Sequence, residues 1–254
     1  MQLVKEELAF KIFERKRVGG LLYYAYRVDN LIGHRGKDGR RLSMELDRHL
    51  EQMGAEVVHD DVTSVEKTDD GFLVNDEAFS HVILATGSTP RRLDIPGVQY
   101  FIEEPSAMKG KKLLIIGGGD LAYDNGLRAR RKGANVTILT RDAPRANRSL
   151  LEEARNNGIV ELTGSPDDLV PEGRVYRYGA RIFDVVAVFI GRDMNRELVK
   201  DMGSLEVNLP DFSTSIKGLY IVGDAALGTL SQTALASGSG IAAAMHIAKT
   251  VRER

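Results

Sequence analysis

The 254-residue sequence contains no cysteine and no tryptophan. Without thiols, the chain can form no disulfide framework, thiolate metal site, cysteine nucleophile or redox-active dithiol of its own. It also has almost no charge imbalance, because 35 Lys and Arg residues stand against 36 Asp and Glu residues and leave a net charge of −1. Bulk charge therefore gives no reason to expect nucleic acid or an anionic membrane as a partner.

Long hydrophobic runs are missing as well. The apolar stretches at 184–191 and 240–248 are too short to cross a bilayer, and the first ten residues show no basic-then-apolar signal pattern. We therefore expect no membrane association and a cytoplasmic location. The 5 histidines show no metal-ligand spacing, and no G-x-S-x-G turn supports Ser-His-Asp catalysis, so we expect neither a metal site nor a serine hydrolase.

Short apolar runs bounded by glycine recur along the chain. They predict buried strands at 10–14, 56–66, 71–75, 81–87, 112–119, 135–140, 159–164, 184–191 and 218–224. Periodic or small-residue stretches predict helices at 41–54, 120–133 and 232–251. Strands that alternate with helices indicate an α/β protein built on parallel sheets.

The strongest single motif is a glycine turn between a predicted strand and a predicted helix, within 112–141. It has the G-x-G-x-x-A pattern of a dinucleotide-binding turn, with Gly117, Gly119 and Ala122 at the three fixed positions. The first glycine permits the tight turn, the second lets the backbone approach a pyrophosphate, and the alanine lets helix and strand pack closely. Asp120 opens the helix whose amide groups would face the phosphates.

The end of the next strand bears on the choice between NADP and NAD. Arg141 and Arg145 flank Asp142 there. Arginine at this place pairs with the 2′-phosphate of NADP, whereas an acid accepts hydrogen bonds from the ribose of NAD. Two arginines favour NADP, and Asp142 keeps NAD open as the alternative.

Four linked motifs stand in an order that resembles one family. They are HVILATGSTPRRLDIPGV (81–98), the glycine turn, DVVAVFIGRDMN (184–195) and GLYIVGDAALGTLSQTALASGSGIAAA (218–244). This arrangement, which covers roughly residues 11–250, resembles the thioredoxin reductase-like flavoproteins among the pyridine nucleotide oxidoreductases. The resemblance implies an α/β fold with two Rossmann-like domains and the cofactors FAD and NADP or NAD.

The resemblance also implies a domain order. An NAD(P)-binding domain at 93–209 would be inserted into a discontinuous FAD-type domain at 1–92 and 210–254. Glu14 resembles the acid that binds the adenosine ribose of FAD. Such an acid lies about 20 residues after its glycine turn, so we expect the first strand and the FAD pyrophosphate loop to be absent from this chain.

The remaining FAD-binding residues are likewise implied by the resemblance. They lie in a loop past the isoalloxazine ring, at the crossover between domains, in the third motif, beside the ribityl chain, and at the start of the last helix: Gly19, Gly20, Asn30, Ala85, Thr86, Gly87, Gly191, Gly223, Asp224, Gln232, Thr233 and Ala234. A positive helix end would stabilise the charge of a reduced flavin. No side chain is implied as a catalytic acid or base.

One departure from the family shapes the predicted function. Related disulfide reductases carry C-x-x-C just before the NAD(P) strand, and this chain has YFIEE at 100–104. Without that dithiol, electrons cannot pass to a disulfide by the usual route. The resemblance is therefore to cysteine-free relatives such as the thioredoxin reductase-like ferredoxin–NADP reductases. It implies hydride transfer from NAD(P)H to FAD, electron transfer to an external acceptor such as a small redox protein, and a homodimer.

A second reading of the same motifs stays open. The chain would be a non-catalytic or regulatory NAD(P)-binding remnant that has lost FAD. Dinucleotide binding without turnover would distinguish it from the oxidoreductase.

Overall fold

The computed structural model describes residues 1–253, so Arg254, the last residue of the predicted 210–254 segment, lies outside the described residues. The helices are α1 (Gln2–Lys5), α2 (Gly39–Gln52), α3 (Asp120–Arg131), α4 (Arg148–Asn156), α5 (Asp224–Leu227) and α6 (Thr233–Arg252). Short 3-10 helices span Gly20–Tyr24, Pro105–Met108, Pro166–Asp168, Glu197–Met202 and Gly228–Leu230.

The strands are short and are distributed along most of the chain. They are β1 (Ile12–Phe13), β2 (Val57–Val58), β3 (Val65–Lys67), β4 (Phe72–Val74), β5 (Glu77–Phe79), β6 (Val82–Leu84), β7 (Ser88–Pro90), β8 (Lys112–Ile116), β9 (Asn135–Thr140), β10 (Val160–Thr163), β11 (Leu169–Glu172), β12 (Val175–Tyr178), β13 (Arg181–Phe183), β14 (Val185–Val188), β15 (Arg192–Met194) and β16 (Leu219–Ile221).

The largest sheet is parallel and has the strand order β10-β9-β8-β14. Ile115 on β8 lies opposite Ile138 on β9 and Ala187 on β14. Its central strands are continuous apolar runs because both faces are covered. On one face, Tyr123 and Leu127 of α3 are fully buried against this sheet. The predicted strands at 112–119, 135–140, 159–164 and 184–191 are confirmed, as is the helix at 120–133.

The other face of this sheet is covered by an antiparallel meander that the sequence analysis did not predict. Strands β11, β12 and β13 pair in that order. Leu169 and Phe183 from the meander pack on Leu114 and Val186 of the parallel sheet. Each meander strand also carries exposed residues, so its apolar signal is weak.

The rest of the chain forms smaller sheets. The pairs β1–β2 and β6–β16 are parallel, and β3-β4-β5 is an antiparallel meander. The predicted strand at 56–66 is wrong as a single element, because the polar residues between Val58 and Val65 form no strand and the run is split into β2 and β3. Helix α6 packs Ala243 and Ile247 against Tyr220 and Val222, and its small residues permit this close approach.

Helix α2 illustrates how local sequence sets an element's ends. Asp38 caps it by accepting a hydrogen bond from the main-chain N–H of Arg40 at 2.9 Å. The helix ends just before Gly54, whose φ of +71° is the left-handed conformation that glycine adopts readily. This agrees with the predicted helix at 41–54, shifted by two residues at each end.

The segment that contains the large sheet and the rest of the chain are joined at an antiparallel pair of strands, β7 and β15. Strand β7 precedes the large sheet in sequence and β15 follows it, and Ser88 lies opposite Met194. Side chains of Leu198, Met202 and Val207 pack with the cluster around Phe72 and Leu219. The predicted domain boundaries at 92/93 and 209/210 stay predictions.

No helix within residues 1–253 is both long and apolar enough to span a membrane.

Candidate functional site

The glycine turn after β8 forms the first part of the candidate site. Gly117 has a φ of +145°, and a Cβ atom there would stand 2.3 Å from the carbonyl oxygen of Phe189. Gly119 is the residue that precedes α3, and a Cβ there would meet no described heavy atom within 4 Å. Ala122 is fully buried. No described side chain caps the first amide groups of α3, so no side chain occupies these donors and they suit a phosphate.

The loop after β9 folds over the start of α3. The carbonyl oxygen of Gly118 accepts hydrogen bonds from the main-chain N–H groups of Arg145 at 2.7 Å and Ala146 at 3.0 Å. Asp120 accepts from the main-chain N–H of Asn147 at 2.7 Å, so its carboxylate holds this loop in place. The loop therefore lies beside the exposed amides of the helix.

The two arginines predicted to select NADP are carried by that same loop. Arg141, Asp142 and Arg145 are all exposed. The structure therefore leaves both guanidinium groups accessible on the loop that folds over the start of α3, together with the carboxylate between them.

The second part of the candidate site begins at Glu14, the residue that directly follows β1. Its carboxylate accepts hydrogen bonds from the main-chain N–H groups of Lys16 at 2.8 Å and Arg17 at 3.1 Å. Gly19 follows with a φ of +90°, and a Cβ there would lie 2.5 Å from the Oγ atom of Ser43. Gly20 has a φ of +51°. The loop predicted to pass the isoalloxazine ring thus needs its two glycines for conformation, and for close packing at Gly19.

Gly223 and Asp224 lie where β16 ends and α5 begins. The main-chain N–H of Gly223 donates to the Oγ atom of the buried Ser239 at 2.9 Å. The Ser88 hydroxyl lies 3.3 Å from Asp224 and accepts from the Nε of Arg192 at 2.8 Å. Burial lowers the pKa of Arg192, and Asp224 opposes that effect. The crossover pair β7–β15 and the β16 end therefore converge on one polar cluster.

The start of α6 lies near the loop that carries Asn30. Asn30 donates a side-chain hydrogen bond to Gln232, the residue before the helix. No described side chain caps the first amides of α6, which begins at Thr233 and Ala234. The sequence-predicted residues Asn30, Gln232, Thr233 and Ala234 are thus neighbours, although about two hundred residues separate the first from the rest.

The remaining predicted residues hold the crossover together. The Thr86 hydroxyl donates to the carbonyl oxygen of Asn195, and the carbonyl oxygen of Gly87 accepts from the Asn195 N–H at 2.9 Å. Gly191, with a φ of +115°, accepts from the main-chain N–H of Arg91 at 3.0 Å. Ala85 is exposed beside them.

Replacing Ser239 with alanine is expected to lower the free energy of unfolding by about 2 kcal/mol, because it leaves the buried N–H of Gly223 without an acceptor. Urea denaturation followed by circular dichroism measures the effect. Ser237→Ala is the matched control, since Ser237 is exposed on the same helix. Equal stability of the two variants would contradict the role assigned to Ser239.

Two aromatic side chains that the sequence analysis did not place together are in contact in the structure. The ring of Tyr24 lies 5.1 Å from the ring of Phe101, and its hydroxyl lies 3.3 Å from the carboxylate of Glu103. The guanidinium of Arg192 lies 5.5 Å above Phe101. Burial and Glu103 raise the pKa of Tyr24. The segment that replaces the dithiol therefore contacts the aromatic residues after Gly19 and Gly20.

The residues present fit both dinucleotides. At α3, open amide donors and exposed arginines suit the phosphates of NADP(H). At β16 and α6, the carboxylate of Asp224 can accept from hydroxyl groups, and the uncapped helix start suits the polar edge of a flavin. Within residues 1–253, no cluster of His, Asp or Glu side chains is arranged to hold a metal ion.

Comparison with known proteins identifies the class. The family model for pyridine nucleotide-disulphide oxidoreductases matches residues 3–240. The chain is 29% identical to the bifunctional thioredoxin reductase/thioredoxin of Mycobacterium leprae, over 98% of this chain and 62% of that protein's length. It is 28% identical to the thioredoxin reductase of Streptomyces clavuligerus, over 89% of this chain and 81% of that one.

A solved structure gives the same result. The crystal structure of Lactococcus lactis thioredoxin reductase in the FR conformation matches with a TM-score of 0.87 and 28% identity, covering 100% of this chain and 94% of that one. The predicted fold class of FAD and NADPH Rossmann-type parts is thereby confirmed. The predicted enzyme class, an FAD-dependent NAD(P)H oxidoreductase, is that of the family and is confirmed with it. The predicted cofactors were FAD with NADP or NAD, and they are confirmed as those of the family, whose thioredoxin reductases use FAD and NADPH. The chain belongs to the pyridine nucleotide-disulphide oxidoreductase family and is thioredoxin reductase-like.

Proposed function

We propose that this chain passes electrons from NADPH through FAD to an external acceptor, a small redox protein, without an internal dithiol. One observation carries the proposal: the segment that precedes β8 holds no dithiol, because the sequence has no cysteine. Phe101 of that segment lies against Tyr24 instead. A disulfide reductase of the usual kind needs two thiols that accept electrons from the flavin and pass them on. The chain supplies an aromatic contact there instead.

The proposal assigns each group of residues a task. Amides at Gly119 and the start of α3 bind the pyrophosphate of NADPH, with Arg141 and Arg145 on its 2′-phosphate. Glu14, Asp224 and the start of α6 hold FAD. FAD, when bound, supplies the ring that accepts hydride and releases electrons, so the protein's contribution is placement and electrostatics.

The remaining predicted residues shape the space around these groups. Gly19 and Gly20 keep the flavin-side loop close to α2, and Gly223 positions Asp224. Thr86, Gly87 and Gly191 hold the crossover in place. We further propose the domain order predicted from the sequence, 1–92 and 210–254 around 93–209, and a homodimer.

Anaerobic reduction tests the proposal. Purified protein, saturated with FAD, is expected to lose its yellow colour when NADPH is added. The reduced protein should then reduce a one-electron carrier such as a ferredoxin. It should fail to reduce thioredoxin disulfide faster than a flavin-only control does.

Two results would contradict the proposal. Rapid reduction of thioredoxin disulfide by the cysteine-free chain would show that the acceptor is a disulfide, and would contradict the proposed transfer to a one-electron carrier. Tight NADPH binding with no flavin bleaching would instead favour the non-catalytic remnant. A calorimetric titration with FAD and with NADPH, run beside the kinetics, separates failure to bind FAD from failure to transfer electrons.

A further inference from the structure

The carboxyl group of Asp124 connects helix α3, which begins at the glycine turn, to the loop that follows Gly19 and Gly20. Asp124 lies in the second turn of α3, a few residues after Gly119, and its Oδ2 accepts a hydrogen bond from the main-chain N–H of Tyr26 at 2.7 Å. Tyr26 lies just beyond the 3-10 helix Gly20–Tyr24, on the loop that packs with α2. The contact therefore joins segments about a hundred residues apart. Helix α3 belongs to one hydrophobic cluster, and Ala25 and Val28, which lie on either side of Tyr26, belong to another.

Neighbouring side chains add to this contact. The Tyr26 ring packs against the cluster under α3, and the guanidinium of Arg131 lies 4.4 Å from the ring centroid. Arg27 lies 3.6 Å from Glu153 of α4, which also pairs with Arg131 at 2.8 Å. The loop is thus attached to both α3 and α4.

We propose that Asp124 is a positioning residue whose carboxyl group holds the Tyr26 main chain against α3. This junction between Asp124 and Tyr26 closes when the carboxyl group gains a proton and opens when it loses one. The junction does not depend on which acceptor receives the electrons. Its effect on hydride transfer rests on the proposed function, because α3 carries the NADPH amides and the Tyr26 loop follows the flavin-side glycines.

Two features of the closed junction favour opening. Asp124 faces only partial solvent, and burial raises the pKa of its carboxyl from 3.8 to about 7. The Tyr26 hydroxyl is buried and has no hydrogen-bond partner among residues 1–253. Water reaches both groups when the junction opens, so closure leaves two polar groups incompletely compensated.

The charged groups around Asp124 act in both directions. The main chain of Arg27, the guanidinium of Arg128 and that of Arg27 lower its pKa, and Asp120 on the same helix raises it. Burial exceeds the sum of these effects. The closed junction therefore binds a proton that the solvent-exposed carboxyl would release near its ordinary pKa.

The sign of the pH dependence follows from this difference. Because the closed form has the higher pKa, closing takes up a proton and is favoured at low pH. Between the ordinary pKa of 3.8 and the closed-form pKa of about 7, the closed-to-open ratio falls by up to about tenfold per pH unit. Above about pH 7 the ratio levels off, because Asp124 is ionised in both forms.

Because the chain contains no cysteine, two introduced thiols can be labelled selectively. Two introduced thiols, Asp69→Cys in the β3–β4 turn and Arg174→Cys in the β11–β12 turn, replace exposed residues on either part of the molecule and carry a fluorescent donor and acceptor. Energy transfer is then recorded across a pH series. We expect the efficiency to fall as the pH rises from 3.8 to about 7, and to stay constant above that range.

Variants separate the junction from general pH effects. Asp124→Asn keeps the shape and the acceptor oxygen but cannot ionise, so it should stay at the closed, low-pH efficiency throughout. Asp201→Asn, which neutralises an exposed carboxylate elsewhere, should titrate like the native chain. A native efficiency that does not change with pH, or an Asp124→Asn variant that retains the transition, would overturn the proposal.

A measurement on the native chain covers the case in which the variant fails to fold. The amide resonance of Tyr26 should titrate with a midpoint above 3.8 and no higher than about 7, because its N–H donates directly to the carboxyl group. A Tyr26 amide resonance that is unchanged across the same pH series would equally overturn the assignment. Neither readout requires turnover, so each outcome is independent of the proposed electron acceptor.

Discussion

The Gly117→Ala variant is expected to lose about 3 kcal/mol of unfolding free energy, because an added methyl group would meet backbone rather than a side chain that can move. The nearest atoms are the carbonyl oxygen of Phe189 at 2.3 Å and its carbon at 2.8 Å. The φ of +145° adds strain, since residues with a Cβ atom rarely adopt it. Thermal and urea unfolding measure the loss.

Gly119→Ala is the informative partner of this variant. Its φ of −97° suits any residue, and the new methyl group would enter open space. We expect a stability loss below about 1 kcal/mol. NADPH binding should nevertheless weaken by about tenfold or more, because the methyl group occupies the space that a pyrophosphate needs.

The pair of variants separates folding from binding at one turn. Calorimetric titration with NADPH gives the affinity and denaturation gives the stability. If Gly119→Ala binds NADPH as the native chain does, the pyrophosphate does not lie against α3. If Gly117→Ala is as stable as the native chain, the close contact with Phe189 is relieved by backbone movement.

The second large effect concerns the choice of nucleotide. Arg141→Gln and Arg145→Gln are each expected to weaken NADPH binding by about tenfold, since a charge-assisted hydrogen bond to phosphate is worth about 1.5–3 kcal/mol before screening by solvent. NADH lacks the 2′-phosphate, so its affinity should change by less than about twofold. The double variant should therefore lose most of its preference for NADPH.

Arg148→Gln is the matched control for charge. Its side chain is 91% exposed and pairs with Glu152 within α4, so the variant changes net charge by the same amount without touching the loop after β9. The ratio of Kd values for NADH and NADPH decides the result. An equal loss of affinity for both nucleotides would place the arginines away from the 2′-phosphate.

The nucleotide half of the site could be predicted because its information is local. Residues Leu113 to Ile116 are all apolar and all buried. Such an unbroken apolar run is typical of a strand that is covered on both faces. The glycine turn follows directly, and the arginines lie one strand later. Each of these features lies within about thirty residues of the others, so spacing alone relates them.

The strands that the sequence analysis missed or misplaced are those in which apolar and polar residues follow no regular alternation. Val170 and Ile182 of the meander are about half exposed, so their strands lack a clean alternation. The run at 56–66 contains His59, Asp60 and Asp61, which break it into two strands. Local periodicity weakens wherever one face of a strand meets solvent.

The convergence of Ser88, Arg192 and Asp224 could not be predicted for a different reason. Their positions in the chain are far apart, and only the pairing of β7 with β15 and of β6 with β16 brings them together. Arg192 carries a weak sequence signal, being the residue after Gly191 in the third motif. The contact between Asp124 and Tyr26 carries none, because neither residue belongs to a motif.

The antiparallel pairing of β7 with β15 has an architectural consequence. Arg192 lies opposite Pro90, and Met194 lies opposite Ser88, so the long intervening segment leaves and rejoins the chain at adjacent points. Antiparallel neighbours are the strands that a short turn can connect. A tight turn between these two neighbouring strands would therefore be enough to close the chain if the segment were excised or exchanged.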